Sequence, residues 1–214
     1  MTGLAAHGGW SVVVLAGGVV LAVWLRRLVL AAVLAAALVV VAGLVPVLRP
    51  GSPAGGPLAA GAPVPAAYRP WIVRAGSQCP DITPALLAAQ LAQESGFNPA
   101  ARSAVGAMGI AQFMPDTWPS WAVDADGDGV ASAWSPPDAI TAQGRFMCAL
   151  AAAARAGRNA GRIRGDVPAL ALAGYNAGPG AVQAAGGIPA ISETRTYVSR
   201  ITALTAVYAD PSHL

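Results

Sequence analysis

Two long apolar runs open the chain, and neither contains a charged side chain. They cover residues 11–25 and 28–48, and the pair Arg26-Arg27 separates them. The second run, at twenty-one residues, is long enough to cross the hydrocarbon core of a bilayer. The first run, at fifteen residues, is short for such a span. The pattern therefore favours one membrane crossing, by residues 28–48.

The arginine pair sets the expected orientation of this region. Cytoplasmic loops carry an excess of Lys and Arg, so Arg26-Arg27 stays inside whether residues 28–48 cross alone or both runs form a hairpin. A buried soluble helix and a cleaved signal peptide are alternatives, although no small-x-small cleavage site directly follows the apolar run. We predict a membrane anchor over residues 1–48, with the rest of the chain outside the cytoplasm at the cell membrane.

The pattern changes after the second run. Residues 49–67 are rich in Pro, Gly and Ala, as is typical of a semi-extended linker. In residues 68–214, the expected folded domain, no alternating Val/Ile/Thr run is long enough to require a substantial sheet. Helical patterns cover residues 138–156, 168–175 and 193–209, with Ser192 as the expected N-cap of the last helix. The predicted fold class is mainly α.

The best marked helix begins at Thr83 and ends at Gly96. The Thr83 hydroxyl can accept a hydrogen bond from an N–H of the first turn, and Pro84 suits the first helical position. Gly96 can end the helix in a left-handed conformation. Leu87 and Leu91, four residues apart, give the helix an apolar face.

Glu94 lies in the last turn of this predicted helix, among Ala, Ser, Gly and Phe. The helix dipole disfavours a negative charge there, and desolvation by apolar neighbours raises the pKa of a carboxyl group. A carboxyl group that stays protonated near neutral pH is suited to general acid catalysis. Taken alone, the pattern also fits a solvated glutamate at a helix end.

Charge and histidine content exclude several function classes. From residue 68 onward, ten arginines balance ten acidic residues, so the domain offers no basic patch for nucleic acid. The two histidines, His7 and His213, lie near the two ends of the chain. Ser-His and Cys-His catalysis and histidine-based zinc sites are therefore not expected in the domain.

The acid-rich segment Asp124-Ala-Asp126-Gly-Asp128-Gly-Val130 matches the first half of an EF-hand calcium loop. The carboxylates occupy loop positions 1, 3 and 5, and the carbonyl of Val130 occupies position 7. Position 12 is Ser135 rather than Glu, and Asp138 is the next acid. The alternatives are a structural calcium ion and a solvated Asp/Gly turn in which Asp138 caps a helix.

Cys79 and Cys148 are the two cysteines of the chain. In an oxidising compartment they are expected to pair, and the bond would stabilise the fold by about 4 kcal/mol in the chain-entropy model. Two buried free thiols are the alternative.

The remaining polar groups limit the chemistry. Glu94 and Glu193 are the two glutamates of the chain, and no second carboxyl group is evident beside Glu94, as the two-carboxylate glycosidase scheme would require. One carboxyl group suffices when the substrate supplies its own nucleophile, such as an acetamido group or a hydroxyl of the sugar. The other candidate site residues are Ser103, Gln112, Tyr175, Asn176 and Glu193.

Four motifs carry a resemblance to a known family, the soluble-type lytic transglycosylases, which are lysozyme-like enzymes related to goose-type lysozyme. They cover roughly residues 70–210 and read, in order, Glu94-Ser-Gly-Phe-Asn-Pro99, Gly106-Ala-Met-Gly-Ile-Ala-Gln-Phe-Met-Pro115, Ala173-Gly-Tyr-Asn-Ala-Gly178 and Glu193-Thr-Arg-x-Tyr197-Val198.

The resemblance implies a lysozyme-like fold and a catalytic role for Glu94. Glu94 would protonate the oxygen between N-acetylmuramic acid and N-acetylglucosamine in peptidoglycan. It would then take the proton of the muramoyl C6 hydroxyl, giving a 1,6-anhydromuramoyl end without a catalytic cofactor. The resemblance further implies that Ser103 and Gln112 line the glycan groove and that Tyr175 lies near the acid. Asn176 belongs to the same motif as Tyr175, and Glu193 belongs to the groove or its scaffold.

Two features depart from the simplest members of the family. Gly-Ile-Ala-Gln stands where Gly-Leu-Met-Gln is usual, which keeps Gln112. The Asp-rich insert resembles the calcium loop of membrane-bound lytic transglycosylases, in which the last acidic ligand lies where Asp138 lies here.

Other functions remain open. A muramidase of the same fold would use water, a peptidoglycan-binding module would have no activity, and a membrane protein could carry the outer domain incidentally. The expected settings are wall remodelling and a secretion or conjugation assembly.

Overall fold

The computed structural model describes residues 56–210, and these contain seven α-helices and no β-strand, which confirms the mainly α prediction. The helices are α1 (Arg69–Ala75), α2 (Pro84–Ser95), α3 (Trp118–Trp121), α4 (Pro136–Asn159), α5 (Val167–Ala177), α6 (Pro179–Ala185) and α7 (Ser192–Ala209). Extended pairing in this part of the chain is limited to two isolated bridges, Arg102 with Met108 and Met108 with Phe113.

Helix α2 lies at the centre of the helical domain. Every residue from Ala85 to Leu91 is buried, so α2 is covered on all sides over its first two turns rather than on one apolar face. The Oγ1 atom of Thr83 accepts from the N–H of Leu86 at 3.2 Å, and Gly96 ends the helix with φ of 62°. Both predicted helix ends are confirmed.

The other helices pack on α2 or on one another. Helices α1 and α7 pack on α2, α4 packs on α1 and α5, and α5 also contacts α6 and α7. Fully buried side chains from these helices form one core, and each contributes about 1.5–3 kcal/mol by leaving water. They include Ile72, Leu87, Leu91, Ile140, Met147, Leu170 and Ile201.

Some helix ends differ from the sequence-based expectation. Helix α4 begins before and ends after the predicted range, and the short helices α1, α3 and α6 carried no strong periodic signal. The prediction that Ser192 caps α7 is wrong, because Ser192 is already helical and Ile191, with φ of −92° and ψ of 120°, holds the N-cap position without a side-chain bond.

Residues 56–67, the end of the proline- and glycine-rich segment, contact the helical domain. The Arg69 guanidinium donates to the carbonyl oxygens of Ala59 and Ala62 at 2.8 and 2.9 Å. The N–H of Ala59 donates to the carbonyl of Tyr208 at 2.9 Å.

The predicted anchor, residues 1–48, lies outside the described residues. Within residues 56–210, no helix combines the length and apolar character that a bilayer crossing requires.

Cys79 and Cys148 form a disulfide bond, as predicted. The bond joins the connection between α1 and α2 to the middle of α4. An ion pair between Arg155 of α4 and Asp81 adds a second link between the same two segments. The start of α2 is therefore fixed relative to α4.

Candidate active site

Glu94 is the penultimate residue of α2 and is half-buried. Loss of hydration disfavours the charged form, and this burial raises the pKa of Glu94 to about 7. The hydroxyl of Tyr197 donates to Oε1 of Glu94 at 2.5 Å and acts in the opposite direction, lowering the pKa. The predicted rise in pKa by desolvation is thus confirmed, and Glu94 can exchange a proton near neutral pH.

Tyr197 and Gln90 adjoin the acid, and sequence reasoning did not assign either a role. Nε2 of Gln90 donates to the Tyr197 hydroxyl at 3.0 Å, so a chain of two hydrogen bonds ends at Glu94. Gln90 is one helical turn before Glu94, and a long polar side chain in an apolar stretch of α2 was a usable signal. Its partner is 107 positions away, which no local pattern reveals.

The glycine-rich segment after α2 folds into a loop beside Glu94's helix. Ser95 donates its hydroxyl hydrogen to the carbonyl of Ile110 at 2.7 Å, and Tyr175 donates to the carbonyl of Ala111 at 2.8 Å. The Gln112 amide donates to the carbonyl oxygens of Ala101 and Gly109 at 3.1 and 2.8 Å. Three side chains thus hold residues 109–112 in place, and the partners found for the Gln112 amide are protein carbonyls.

Ser103 stabilises the turn that precedes this loop. Its Oγ accepts from the N–H of Ala107 at 3.0 Å, and its own N–H donates to the carbonyl of Ala107 at 3.1 Å. Ser103 is half-buried. The structure therefore gives Ser103 a turn-forming role in addition to its predicted place on the glycan groove.

A cleft of about 250 Å³ lies between the loop and α5. Three of the five predicted substrate residues, Gln112, Tyr175 and Asn176, are among those that line it. Tyr175 lies edge-on to Phe113, with ring centroids 6.0 Å apart, and packs on Phe146 at 5.1 Å. Aromatic side chains of this kind form a rigid wall with large apolar surface. Ser103, Glu193 and Glu94 are not among the residues that line this cleft.

Tyr175 is electrostatically coupled to Glu94. Burial raises the pKa of the Tyr175 hydroxyl well above its ordinary value, and the negative charge of Glu94 raises it further. Ser95, the residue after Glu94, donates to the carbonyl of Ile110, and Tyr175 donates to the carbonyl of Ala111. The acid and the cleft residue Tyr175 therefore adjoin the same loop. The phenol stays neutral throughout the range in which Glu94 titrates.

Asn176 and Glu193 are at the facing ends of α5 and α7. The hydroxyl of Thr194 donates to Oδ1 of Asn176 at 2.7 Å and links the two helices. Glu193, in the first turn of α7, is exposed, and a carboxylate at a helix N-terminus is favoured by the dipole. Glu193 therefore has a structural reason for its position that does not require substrate.

The acid-rich loop brings three of its carboxylates together. Side-chain oxygens of Asp124, Asp126 and Asp128 lie within 4.8 Å of one another, and all three residues are exposed. Asp138 is not part of that group. It is buried in the first turn of α4, where its two oxygens accept from the N–H groups of Ala125 at 2.7 Å and Ser132 at 3.0 Å. Carboxylate oxygens at this spacing are a donor set suited to calcium.

Taken together, the arrangement supplies one proton donor and acceptor beside a polar and aromatic cleft. The pKa of Glu94 is set by burial and by Tyr197, and no second carboxylate within residues 56–210 is among its causes. Such a site can deliver a proton to a leaving oxygen and recover one from an attacking hydroxyl.

Comparison with known proteins assigns the chain to a family. The Transglycosylase SLT domain family matches residues 72–198. The 70 kDa soluble lytic transglycosylase Slt70 of Escherichia coli is 29% identical, with a TM-score of 0.49, over 67% of this chain and 24% of that one. An inactive mutant of the lytic transglycosylase Slt of Pseudomonas aeruginosa is 26% identical, with a TM-score of 0.50, over 70% of this chain and 25% of that one.

The likeness to the Pseudomonas aeruginosa protein supports the lysozyme-like fold expected from the motifs. The chain corresponds to about a quarter of the length of these solved structures. The family match spans α1 to the first half of α7 and includes Glu94, Gln112, Tyr175 and Tyr197. This chain belongs to the Transglycosylase SLT domain family.

Proposed function

We propose that the protein is a peptidoglycan lytic transglycosylase in which Glu94 is the single general acid and base. The observation that carries the proposal is a carboxyl group, half-buried and with its pKa raised to about 7 by desolvation, at the position of the family's catalytic motif. An ordinary surface glutamate is ionised at about pH 7, so it could not donate a proton.

The reaction follows from the site in two proton transfers. Glu94 gives its proton to the glycosidic oxygen between N-acetylmuramic acid and N-acetylglucosamine while the bond from that oxygen to the muramoyl C1 breaks. The muramoyl C6 hydroxyl oxygen then bonds to C1, and its proton passes to the Glu94 carboxylate, which restores the acid. Because the Tyr197 hydroxyl donates to Oε1, the proposal places the proton exchange with the substrate on Oε2.

The cleft provides the substrate contacts in this proposal. Sugar rings would pack on Phe146 and Tyr175, because aromatic rings offer a large and rigid apolar surface. Both rings contact the buried ring of Phe113, which supports them. Polar edges of the glycan would meet Gln112 and Asn176, which line the same cleft. Ser103 and Glu193 are proposed to contact the glycan further along the groove.

The chemical outcome is tested by digesting purified peptidoglycan with the full-length chain in water enriched in heavy oxygen. We expect anhydromuramoyl products, which are lighter than reducing-end products by one water molecule and contain no heavy oxygen. Mass spectrometry of the released muropeptides distinguishes the two.

Two results would contradict the proposal. Reducing ends that carry heavy oxygen would identify a muramidase. The second result is that the chain, with its disulfide intact and with calcium added, releases no muropeptides but sediments with peptidoglycan. That result would identify a binding module.

We also propose that the acid-rich loop binds a structural calcium ion through Asp124, Asp126 and Asp128, with the carbonyl of Val130 and the side chain of Asp138. The spacing of the first three carboxylates supports this set. A carboxylate has about four acceptor sites, so Asp138 can keep both of its backbone hydrogen bonds and still contribute to the ion.

Calcium at about one hundred times its Kd is expected to raise the free energy of unfolding by about 2.7 kcal/mol, measured by urea denaturation with calcium or with a chelator. Asp128→Asn should reduce this gain, because it removes a charged ligand. Asp116→Asn, which changes an exposed acid outside the loop, is the matched control. An equal calcium response in all three proteins would exclude the site.

We further propose that residues 28–48 anchor the chain in the cell membrane and that the catalytic domain lies outside the cytoplasm. The uncharged run, the arginine pair that precedes it and the disulfide bond support this location, since disulfides persist in oxidising compartments. A domain held at the membrane could act in wall remodelling or within a secretion or conjugation assembly.

A further inference from the structure

We propose that Gln90 is a positioning residue for the reaction, and that it holds the Tyr197 hydroxyl as a hydrogen-bond donor to Glu94. Nε2 of Gln90 and Oη of Tyr197 are 3.0 Å apart, and Oη of Tyr197 and Oε1 of Glu94 are 2.5 Å apart. This inference rests on the proposed role of Glu94 as acid and base.

The direction of these hydrogen bonds follows from the groups themselves. An ionised carboxylate only accepts hydrogen bonds, and a phenol has a single hydrogen to donate. When Glu94 is ionised, Tyr197 must therefore point its hydrogen at Glu94 and can only accept from its other neighbour. The NH₂ group of Gln90 satisfies that requirement, whereas its carbonyl oxygen would compete for the tyrosine hydrogen.

Burial of Gln90 has a cost that packing does not explain. The side chain is fully buried in α2, and its Oε1 atom has no hydrogen-bond partner. A buried polar atom without a partner is destabilising, and an apolar side chain of similar shape avoids that penalty. The contact that the Gln90 amide makes is with Tyr197, so this contact is where its polar character has an effect.

Two tyrosines on different helices are the titratable neighbours that act on Glu94. They are Tyr197 of α7 and Tyr175 of α5, and burial raises the pKa of both phenols well above the ordinary value. Both stay neutral while Glu94 titrates. The hydrogen bond from Gln90 lowers the pKa of Tyr197, which makes its hydroxyl a better donor to the carboxylate.

This arrangement matters after the first proton transfer. Glu94 is then a carboxylate in a poorly hydrated site, and a directed hydrogen bond to a charged acceptor is stronger than one to a neutral acceptor. Loss of Gln90 leaves the tyrosine hydrogen less firmly directed. The carboxylate is then less stable, the pKa of Glu94 rises, and the proton is delivered less readily to the leaving oxygen.

The glutamate content of the chain makes a direct test simple. The full-length chain labelled with carbon-13 at the glutamate carboxyl group gives two signals, from Glu94 and Glu193, and Glu94→Gln assigns them. We expect Gln90→Met, which keeps the side-chain volume, to raise the pKa of Glu94 by about half a unit from its value of about 7. The Glu193 signal should be the same in the variant and in the wild type at each pH.

Two further variants separate positioning from a general effect on the fold. Tyr197→Phe should raise the pKa of Glu94 by about one unit, and adding Gln90→Met to it should cause no further rise, because the effect passes through Tyr197. Gln143→Met is the matched control, since Gln143 is equally buried and both of its amide atoms are without a partner. It should leave the pKa of Glu94 unchanged.

The same variants are then followed by activity against pH. In Gln90→Met, the alkaline limb of kcat/KM, where Glu94 loses its proton, should move to higher pH. The value of kcat should fall below that of the wild type. If the pKa of Glu94 is unchanged in Gln90→Met, or rises equally in Gln143→Met, the proposed role of Gln90 is overturned. Activity that persists in Glu94→Gln would instead overturn the proposed function, so the two failures are distinguishable.

Discussion

Glu94→Gln should lower the rate of peptidoglycan cleavage by at least about a thousandfold, while making the folded protein more stable above neutral pH. The amide has nearly the size of the carboxyl group and can still accept from Tyr197, so the fold should be retained. It has no acidic proton for the leaving oxygen and cannot take one from the attacking hydroxyl. Release of soluble muropeptides measures the loss.

The gain in stability has a definite pH dependence. The pKa of Glu94 is about 7 in the folded protein, against 4.5 as the ordinary value, so the folded state binds the extra proton between these two values. Stability of the wild type therefore falls as the pH rises through this range and reaches its lower plateau above it. The full difference amounts to about 3 kcal/mol.

Glu94→Gln does not titrate, so it should unfold at higher urea concentration than wild type at about pH 8 and at a similar concentration at about pH 4. Circular dichroism at each pH follows the transition. A variant that is stabilised equally at both pH values would show that burial of the carboxylate is not the cause. Substantial remaining activity would remove Glu94 from the chemistry.

Gly109→Ala is expected to destabilise the domain by about 3–4 kcal/mol. Gly109 has φ of 70°, and a Cβ atom added there would lie 2.0 Å from the carbonyl oxygen of Ala133. That oxygen belongs to the backbone between the acid-rich loop and α4, so no side-chain rotation relieves the overlap. The insert or the loop that contains Gln112 must move.

Gly106→Ala is the matched control in the same segment. Gly106 has φ of 92°, and an added Cβ atom would meet nothing within 4 Å. Only the left-handed backbone conformation is then unfavourable, at about 1 kcal/mol. Urea denaturation of both variants gives the comparison, and equal losses would show that backbone conformation alone accounts for Gly109.

Local signals in the sequence were sufficient to predict the ends of α2 and the raised pKa of Glu94. Thr83, Pro84 and Gly96 act within one or two turns of their own positions, so the ends of α2 were predictable. The effect of burial on Glu94 was predictable too, because its neighbours in the chain are small or apolar. The family motifs then indicated which polar residues of the later helices belong near it.

Contacts between distant segments could not be predicted in this way. The bond from Tyr197 to Glu94 joins residues 103 positions apart, and nothing local distinguishes a tyrosine that points at an acid from one that fills the core. The short helix α1 likewise depends on packing against α2 and α4, since so short a helix is marginal by itself. Asp138 had a local signal, but its two backbone partners, Ala125 and Ser132, lie 13 and 6 positions before it.

The hydrogen bond between Ala59 and Tyr208 brings the two ends of the described domain side by side. A domain whose chain enters and leaves at neighbouring points can be added to a longer polypeptide at one place, without separating the parts between which it is inserted. The corresponding region makes up 25% of the Pseudomonas aeruginosa protein. Adjacent ends therefore suit this domain to insertion at a single place in longer chains.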